Sequence, residues 1–273
     1  MTVGETIRAA AERLASVSDT ARLDAELLAA HLLGVSRSEM LLTAMRDPAP
    51  AGFAALVERR AGHEPVAYIT GSAEFYGLPL KVTPATLIPR GDSETLVEAA
   101  LALGSGAARV LDLGTGSGAL LLAVLSRLGA AQGIGTDRSE AALALARANA
   151  AALGLDLRAG FVAADWSKPG WAEALGTFDL VLCNPPYVEA DAALDRQVRD
   201  HEPHTALFAG PEGLDDYRIL IPQLRGLMNP GARVIFEIGA NQADAVSALA
   251  AAAGFGVALH RDLGGRPRAL VLG

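Results

Sequence analysis

Two short stretches of this 273-residue chain combine residue types able to do chemistry: Asn184-Pro185-Pro186-Tyr187 and Gly114-Thr115-Gly116-Ser117-Gly118. The first follows the apolar run Phe178 to Cys183 and so stands at the tip of a buried strand. Two prolines hold the backbone extended and carry no N–H, which leaves carbonyl acceptors at those positions. With the Asn184 side-chain oxygen added, the segment becomes a pair of acceptors suited to a planar NH2 group. Two hydrogen bonds would fix such a nitrogen and turn its lone-pair face toward an electrophile. An amide or exocyclic amine is a weak nucleophile because its lone pair is delocalised, so positioning must carry much of the rate. No strong base is needed, in keeping with a motif free of His and Lys. Tyr187 would stack on the planar group. The competing reading is a turn-forming Asn-Pro-Pro with a buried tyrosine.

The glycine-rich turn follows the strand Val110 to Leu113 and opens an apolar helix, allowing a ligand close to the backbone at a helix N-terminus. Its GxGxG spacing departs from the GxGxxG of dinucleotide sites. Asp112, just ahead of it, would repel a pyrophosphate and favour a cationic ligand. Asp137 closes the next strand about twenty residues on, where an acidic residue accepts from both ribose hydroxyls in this class of fold. Its alternative role is a helix N-cap, for which Ser139 serves equally well. Asp165 and Trp166 close a third strand, where the carboxylate could take an adenine amino group and the indole line the ring, unless Trp166 is a core aromatic. Together these describe an adenosine pocket with a cation-tolerant end, pointing to S-adenosylmethionine, with S-adenosylhomocysteine as product.

The elements that must position these residues fall into three zones. Residues 1–72 read as a helical bundle, in four segments with apolar residues at three- and four-residue spacing; Asp19 or Thr20 caps the second, Gly34 ends it, and Ser36 caps the third. The helical period breaks at Pro65, and residues 73–90 read as a β-hairpin linker turned at Gly77-Leu78-Pro79. Residues 91–273 alternate strand and helix, including a single helix from Gly213 to Met228, which implies an α/β, doubly wound parallel sheet covered on both faces. Ligands in such sheets bind at the carboxyl ends of the strands.

A formal charge of −8 argues against a broad electrostatic grip on nucleic acid. Cys183 is the single cysteine, which excludes an intramolecular disulfide or a cysteine-based zinc cluster and reads as a small strand residue. No apolar run is long enough for a membrane span and no signal peptide is evident, so the expectation is a soluble, cytoplasmic protein, by default a monomer. His201-Glu202-Pro203-His204 invites a metal reading, but Pro203 breaks helical geometry between the histidines; a packing loop is expected and no metal. Arg59-Arg60 and the Arg261 to Arg268 run read as solvated.

Asn-Pro-Pro-Tyr downstream of Gly-Thr-Gly-Ser-Gly resembles the amino-methyltransferases, which include DNA adenine-N6 and protein glutamine-N5 enzymes. PVAYITGSAEFYGLPLKVTPATLIPR, HEPHTALFAGPEGLDDYR, VIFEIGANQ and RDLGGRPRALV are similar to the release-factor glutamine methyltransferases, the PrmC or HemK family, over nearly the whole chain. The resemblance implies a class I methyltransferase (Rossmann-like) sheet with the helical bundle and hairpin helping to hold the substrate. It implies methyl transfer from S-adenosylmethionine to the amide nitrogen of the glutamine in the Gly-Gly-Gln loop of peptide chain release factors. By motif, the donor would contact Gly114 to Gly118, Asp137, Asp165, Trp166 and Asn184, and the glutamine would sit on Asn184, Pro185, Pro186 and Tyr187. Where the family has Pro-Asp-Thr-Glu after Pro-Arg, this chain has Gly91-Asp92-Ser93-Glu94, which loosens one turn and keeps a hydroxyl at Ser93, otherwise a helix N-cap. A ribosomal-protein glutamine methyltransferase, an adenine methyltransferase and a non-catalytic binding module are the competing classes.

Overall fold

In the computed structural model, which describes residues 1–273, the chain starts with a capping box: the Thr2 hydroxyl accepts from the Glu5 N–H while the Glu5 carboxylate accepts from the Thr2 N–H. Helix α1 (Val3–Leu14) is followed by α2 (Ala21–Leu33), α3 (Arg37–Thr43) and α4 (Phe53–Ala61). Gly34 ends α2 in the left-handed conformation, and Ser36 caps α3 by accepting from the Glu39 N–H. Val3, Ile7 and Leu14 close on Leu28, Met40, Phe53 and Val57 in one apolar core; each such side chain contributes roughly 1.5–3 kcal/mol on burial. Within this unit Arg60 pairs with Asp24 at 2.7 Å, both buried. Pro65 does not end helical structure as the periodicity suggested: it starts the single-turn helix α5 (Val66–Thr70), since a missing N–H costs nothing at a helix start.

Strands β1 (Ser72–Phe75) and β2 (Leu78–Lys81) form a hairpin whose turn residues are Tyr76 and Gly77, both at positive φ, one residue earlier than the sequence reading placed it. The unfavourable backbone at Tyr76 is offset by its N–H, which donates to Glu94, and its hydroxyl, which donates to Glu98. Then come α6 (Glu94–Leu103), β3 (Arg109–Leu113), α7 (Ala119–Arg127), β4 (Gln132–Asp137), α8 (Glu140–Ala152), β5 (Ala159–Ala163), β6 (Phe178–Cys183), α9 (Arg196–His201), α10 (Asp215–Leu220), β7 (Met228–Glu237), α11 (Ala243–Ala252), β8 (Val257–Arg261) and β9 (Pro267–Leu272). The helix expected from Gly213 to Met228 is cut short: Pro222 cannot donate within an α-helix, and Ile221–Leu227 continues as a 3-10 helix.

Two units result, Met1–Ser72 with Leu194–Glu202, and Ala73–Ala193 with Pro203–Gly273. The hairpin is packed into the second, where Phe75 and Leu80 are buried in its core. Asn149 of α8 fastens β2 there, accepting from the Lys81 N–H and donating to the Lys81 carbonyl. No change of composition marks the 194–202 excursion that carries α9 into the first unit.

The seven-stranded sheet runs β5-β4-β3-β6-β7-β9-β8. It is mixed, which corrects the all-parallel expectation: β3, β4, β5, β6 and β7 pair in parallel, whereas β9 pairs antiparallel with both β7 and β8. Strand order reverses between β3 and β6, the place where connecting loops diverge and leave a crevice. Pairing of Leu113 with Cys183, and of Cys183 with Phe236, brings Gly114, Asn184 and Glu237 to the same edge of the sheet.

Candidate functional site

A cavity of about 330 Å³ opens at that edge. Gly114, Thr115 and Gly116 form one wall; Asp137, Asp165 and Trp166 line a second; Asn184 and Pro186 contribute from the tip of β6. Of the residues singled out in the sequence, Ser117, Gly118, Pro185 and Tyr187 fall outside this lining, each for a local reason. Ser117 is buried, and its carbonyl accepts from Asn149. Gly118 turns α7 inward, its α-carbon so close to Leu122 and Ala146 that an added Cβ would stand 3.1 and 3.3 Å from them. Pro185 is buried behind Asn184. Tyr187 follows Pro186 of the lining and is tied down by the chain around it: its hydroxyl donates to Glu237 Oε1 at 3.2 Å and its N–H to the Leu207 carbonyl.

The turn is shaped by backbone that only glycine adopts freely. Gly114 and Gly116 both have positive φ, and a Cβ at Gly114 would meet the Trp166 ring at 3.1 Å. At Gly116 the nearest atom to such a Cβ is 4.0 Å away, so this glycine leaves open space above it. Asp112 does not stand beside the ligand space as the sequence reading had it. It is 1% exposed, sealed below the turn, and accepts from the Thr115 hydroxyl at 2.6 Å. Burial pushes its carboxyl up to about 7.

Asp137 ends β4 with both oxygens engaged, Oδ2 by the Gly116 N–H and Oδ1 by the Ser139 N–H, and each oxygen keeps a lone pair. Ser139 is the cap of α8. Asp165 accepts from the Ser167 hydroxyl and N–H, which hold its carboxyl below the usual range. The Trp166 indole donates to Asp216 of α10 at 2.7 Å, so the ring both packs on the core and faces the cavity. Asn184 differs from its neighbours: its side-chain amide has no hydrogen-bond partner within the chain.

Several lining residues were not read from the sequence as donor or acceptor contacts. Phe75, Thr86, Leu87 and Pro89 come from the hairpin and the segment after it, and Ser93 from the turn before α6. Ser93 does not cap α6 by its side chain, against the alternative read from sequence. On the far side Thr205 and Phe208 line the cavity, and Arg138 donates to the Thr205 carbonyl at 2.8 Å. Of the His201/His204 pair, His201 lies in the first unit with its ring 3.4 Å from the Gly62 carbonyl, and His204 stacks edge-on against Phe208 in the second. No helix is long and apolar enough to cross a membrane.

Residues 5–71 match the PrmC N-terminal domain and residues 105–240 a methyltransferase domain. The release factor glutamine methyltransferase of Bradyrhizobium diazoefficiens is 42% identical, the alignment covering 96% of this chain and 92% of that protein. Its counterpart of the same name in Cereibacter sphaeroides is 43% identical over 98% of this chain and 97% of its own. Among solved structures, the hMettl16 catalytic domain shares the fold at a TM-score of 0.57 and 16% identity, covering 80% of this chain and 81% of its own. With 42% identity sustained across both units, the chain belongs to the release factor glutamine methyltransferase family.

Proposed function

We propose that this protein transfers a methyl group from S-adenosylmethionine to the side-chain amide nitrogen of the glutamine in the Gly-Gly-Gln loop of peptide chain release factors, tuning translation termination. The observation that carries the reading is the free Asn184 amide, the one motif side chain at the cavity that the fold leaves without a partner. Such an amide has its carbonyl oxygen open to an NH2 group in the cavity and its own NH2 open to an acceptor. The family's name identifies the incoming group as an amide NH2.

The donor-side residues suit an adenosyl group. Gly114 and Gly116 allow close approach to the backbone, Asp137 retains lone pairs for two ribose hydroxyls, and Trp166 offers a ring face. Asp165 and Asp216 are the carboxylates available to an exocyclic amine. When bound, S-adenosylmethionine supplies an electrophilic methyl group on a sulfonium. Asn184 and the carbonyls of the proline pair hold the acceptor nitrogen by its two hydrogens, and Tyr187 flanks it. The methyl would pass to the nitrogen with S-adenosylhomocysteine as the leaving product, and the methylated nitrogen would release one proton to solvent, which needs no strong base. Residues 1–72 serve in substrate recognition, with the hairpin 73–90 beside the methyltransferase domain 91–273. The protein acts as a cytoplasmic monomer without nucleic acid as substrate.

The test is labelled donor with a candidate release factor and with duplex DNA, followed by mass mapping. A single methyl on the Gly-Gly-Gln glutamine supports the reading; label on DNA alone overturns it.

A further inference from the structure

Glu237 belongs to none of the motifs that the chemistry drew on, yet it lies at the end of β7 directly behind the acceptor segment. It is 1% exposed. One oxygen, Oε1, accepts from the Tyr187 hydroxyl; the other, Oε2, is buried without a hydrogen bond of its own, and the Ser93 side chain faces the carboxyl. The rest of Tyr187 is gripped in the same region. Gln242 Nε2 donates to the Tyr187 carbonyl at 3.0 Å and to the Gly213 carbonyl at 3.1 Å, while Gln242 Oε1 accepts from the Gly239 N–H. Gly213 is required for this packing, because a Cβ there would lie 2.2 Å from the Tyr187 carbonyl oxygen. The backbone of Tyr187 is thus fixed without Glu237. What Glu237 alone controls is the phenol end of the ring.

A buried carboxyl with one idle oxygen is costly, and an apolar residue or Gln could fill the space. We infer that Glu237 is a positioning residue for methyl transfer, setting the plane of the Tyr187 ring through the hydroxyl and so orienting the acceptor amide that the ring flanks. The inference rests on the acceptor role proposed above for the Asn184 to Tyr187 segment. The groups facing Glu237 are Tyr187, Ser93 and Asp92 ahead of α6, Arg268 of β9, Tyr217 of α10 and Cys183 of β6. Burial raises its carboxyl to about 7, against the favourable influence of Ser93, Tyr187 and Arg268. Its charged form is the stronger acceptor for the phenol and is gained as pH rises through that value.

The experiment is a double-mutant cycle of Glu237→Gln and Tyr187→Phe in the full chain. It reads kcat on a release factor, donor dissociation by calorimetry, and the pH profile of kcat. Each single variant should lower kcat about 10-fold, the scale of one charge-assisted hydrogen bond. Donor affinity should stay within about twofold. The double variant should be no slower than the slower single one, and the rise of kcat through about pH 7 should flatten in both. Wild-type kcat in Tyr187→Phe overturns the inference even where Glu237→Gln folds poorly, and so do losses that multiply in the double variant. If the wild-type protein methylates no release factor, the proposed function fails; if it does and the variants match it, only the role of Glu237 fails.

Discussion

The glycine turn after β3 and the Asn-Pro-Pro-Tyr segment after β6 leave neighbouring strands at the same height, but they are held by opposite means. The turn is set by what is missing. Gly114, Gly116 and Gly118 all have positive φ, Trp166 crowds Gly114, Leu122 and Ala146 crowd Gly118, and the Ser117 carbonyl is pinned by Asn149. The second segment is set by polar partners from elsewhere: Leu207, Glu237 and Gln242. Beneath each lies one buried carboxyl raised to about 7 by burial, Asp112 under Thr115 and Glu237 under Tyr187. One wall is therefore sensitive to a side chain added to its glycine backbone, and the other to the loss of a polar group.

Asn184→Ala is expected to have the largest effect and to sharpen this contrast. Turnover should fall about 10³-fold, the scale of removing a group that orients the reacting centre. Donor affinity should change less than about threefold. Single-turnover methyl transfer alongside calorimetry separates the two, and parallel losses would erase the distinction between the walls. Gly114→Ala should do the reverse. Its Cβ carries φ of +72° and stands 3.1 Å from Trp166, a cost of about 2 kcal/mol. That cost falls on the folded state and should lower the melting temperature, and donor affinity should fall as Trp166 is pushed from its place; calorimetric melting beside donor titration reads the two, and unchanged values in both would show that Trp166 moves aside freely.

Asp112→Asn tests the buried carboxyl below the turn. The folded protein keeps the Asp112 proton up to about pH 7, whereas the same carboxyl freely exposed titrates near 3.8. The folded state thus binds more protons between those values, and the contribution of this group to stability is full below about pH 4 and lost as pH rises through about 7. The Asn variant lacks that loss, so its melting temperature relative to wild type should be higher at pH 8 than at pH 5. A difference independent of pH would place the Asp112 titration elsewhere. The smallest effect is expected from Gly91→Pro. Gly91 has no positive φ, no atom lies within 4 Å of an added Cβ, and Arg90 before it is extended at φ −105° and ψ 144°. The change should stabilise by about 0.4–1 kcal/mol through the unfolded chain. Calorimetric melting checks this, and a lower melting temperature would mean that this turn needs glycine.

The local readings that agree with the structure share one property: their cause lies within a few residues. Helix periods, the Ser36 cap and the Gly34 stop need no distant partner. The positions of Asn184 and Asp137 at the cavity were legible because strand ends and turns fix their place in any doubly wound sheet. The helix through Pro222 and the hairpin turn were misplaced by local chemistry competing with itself: long apolar periodicity against one proline, and Leu78-Pro79 against Tyr76 at positive φ.

The sequence by itself determined the alternation of strands and helices, the turn that only glycine can form, and the place of Asn184 at a strand tip. Those follow from φ, ψ and side-chain chemistry inside short windows. Tertiary structure decided the antiparallel β9, the burial of Asp112, the partnership of Trp166 with Asp216 and that of Tyr187 with Glu237. Each of the two partnerships joins residues 50 positions apart. Their geometry and the burial that raises their pKa values are sums over contacts from several strands and helices, which no local stretch of chain contains.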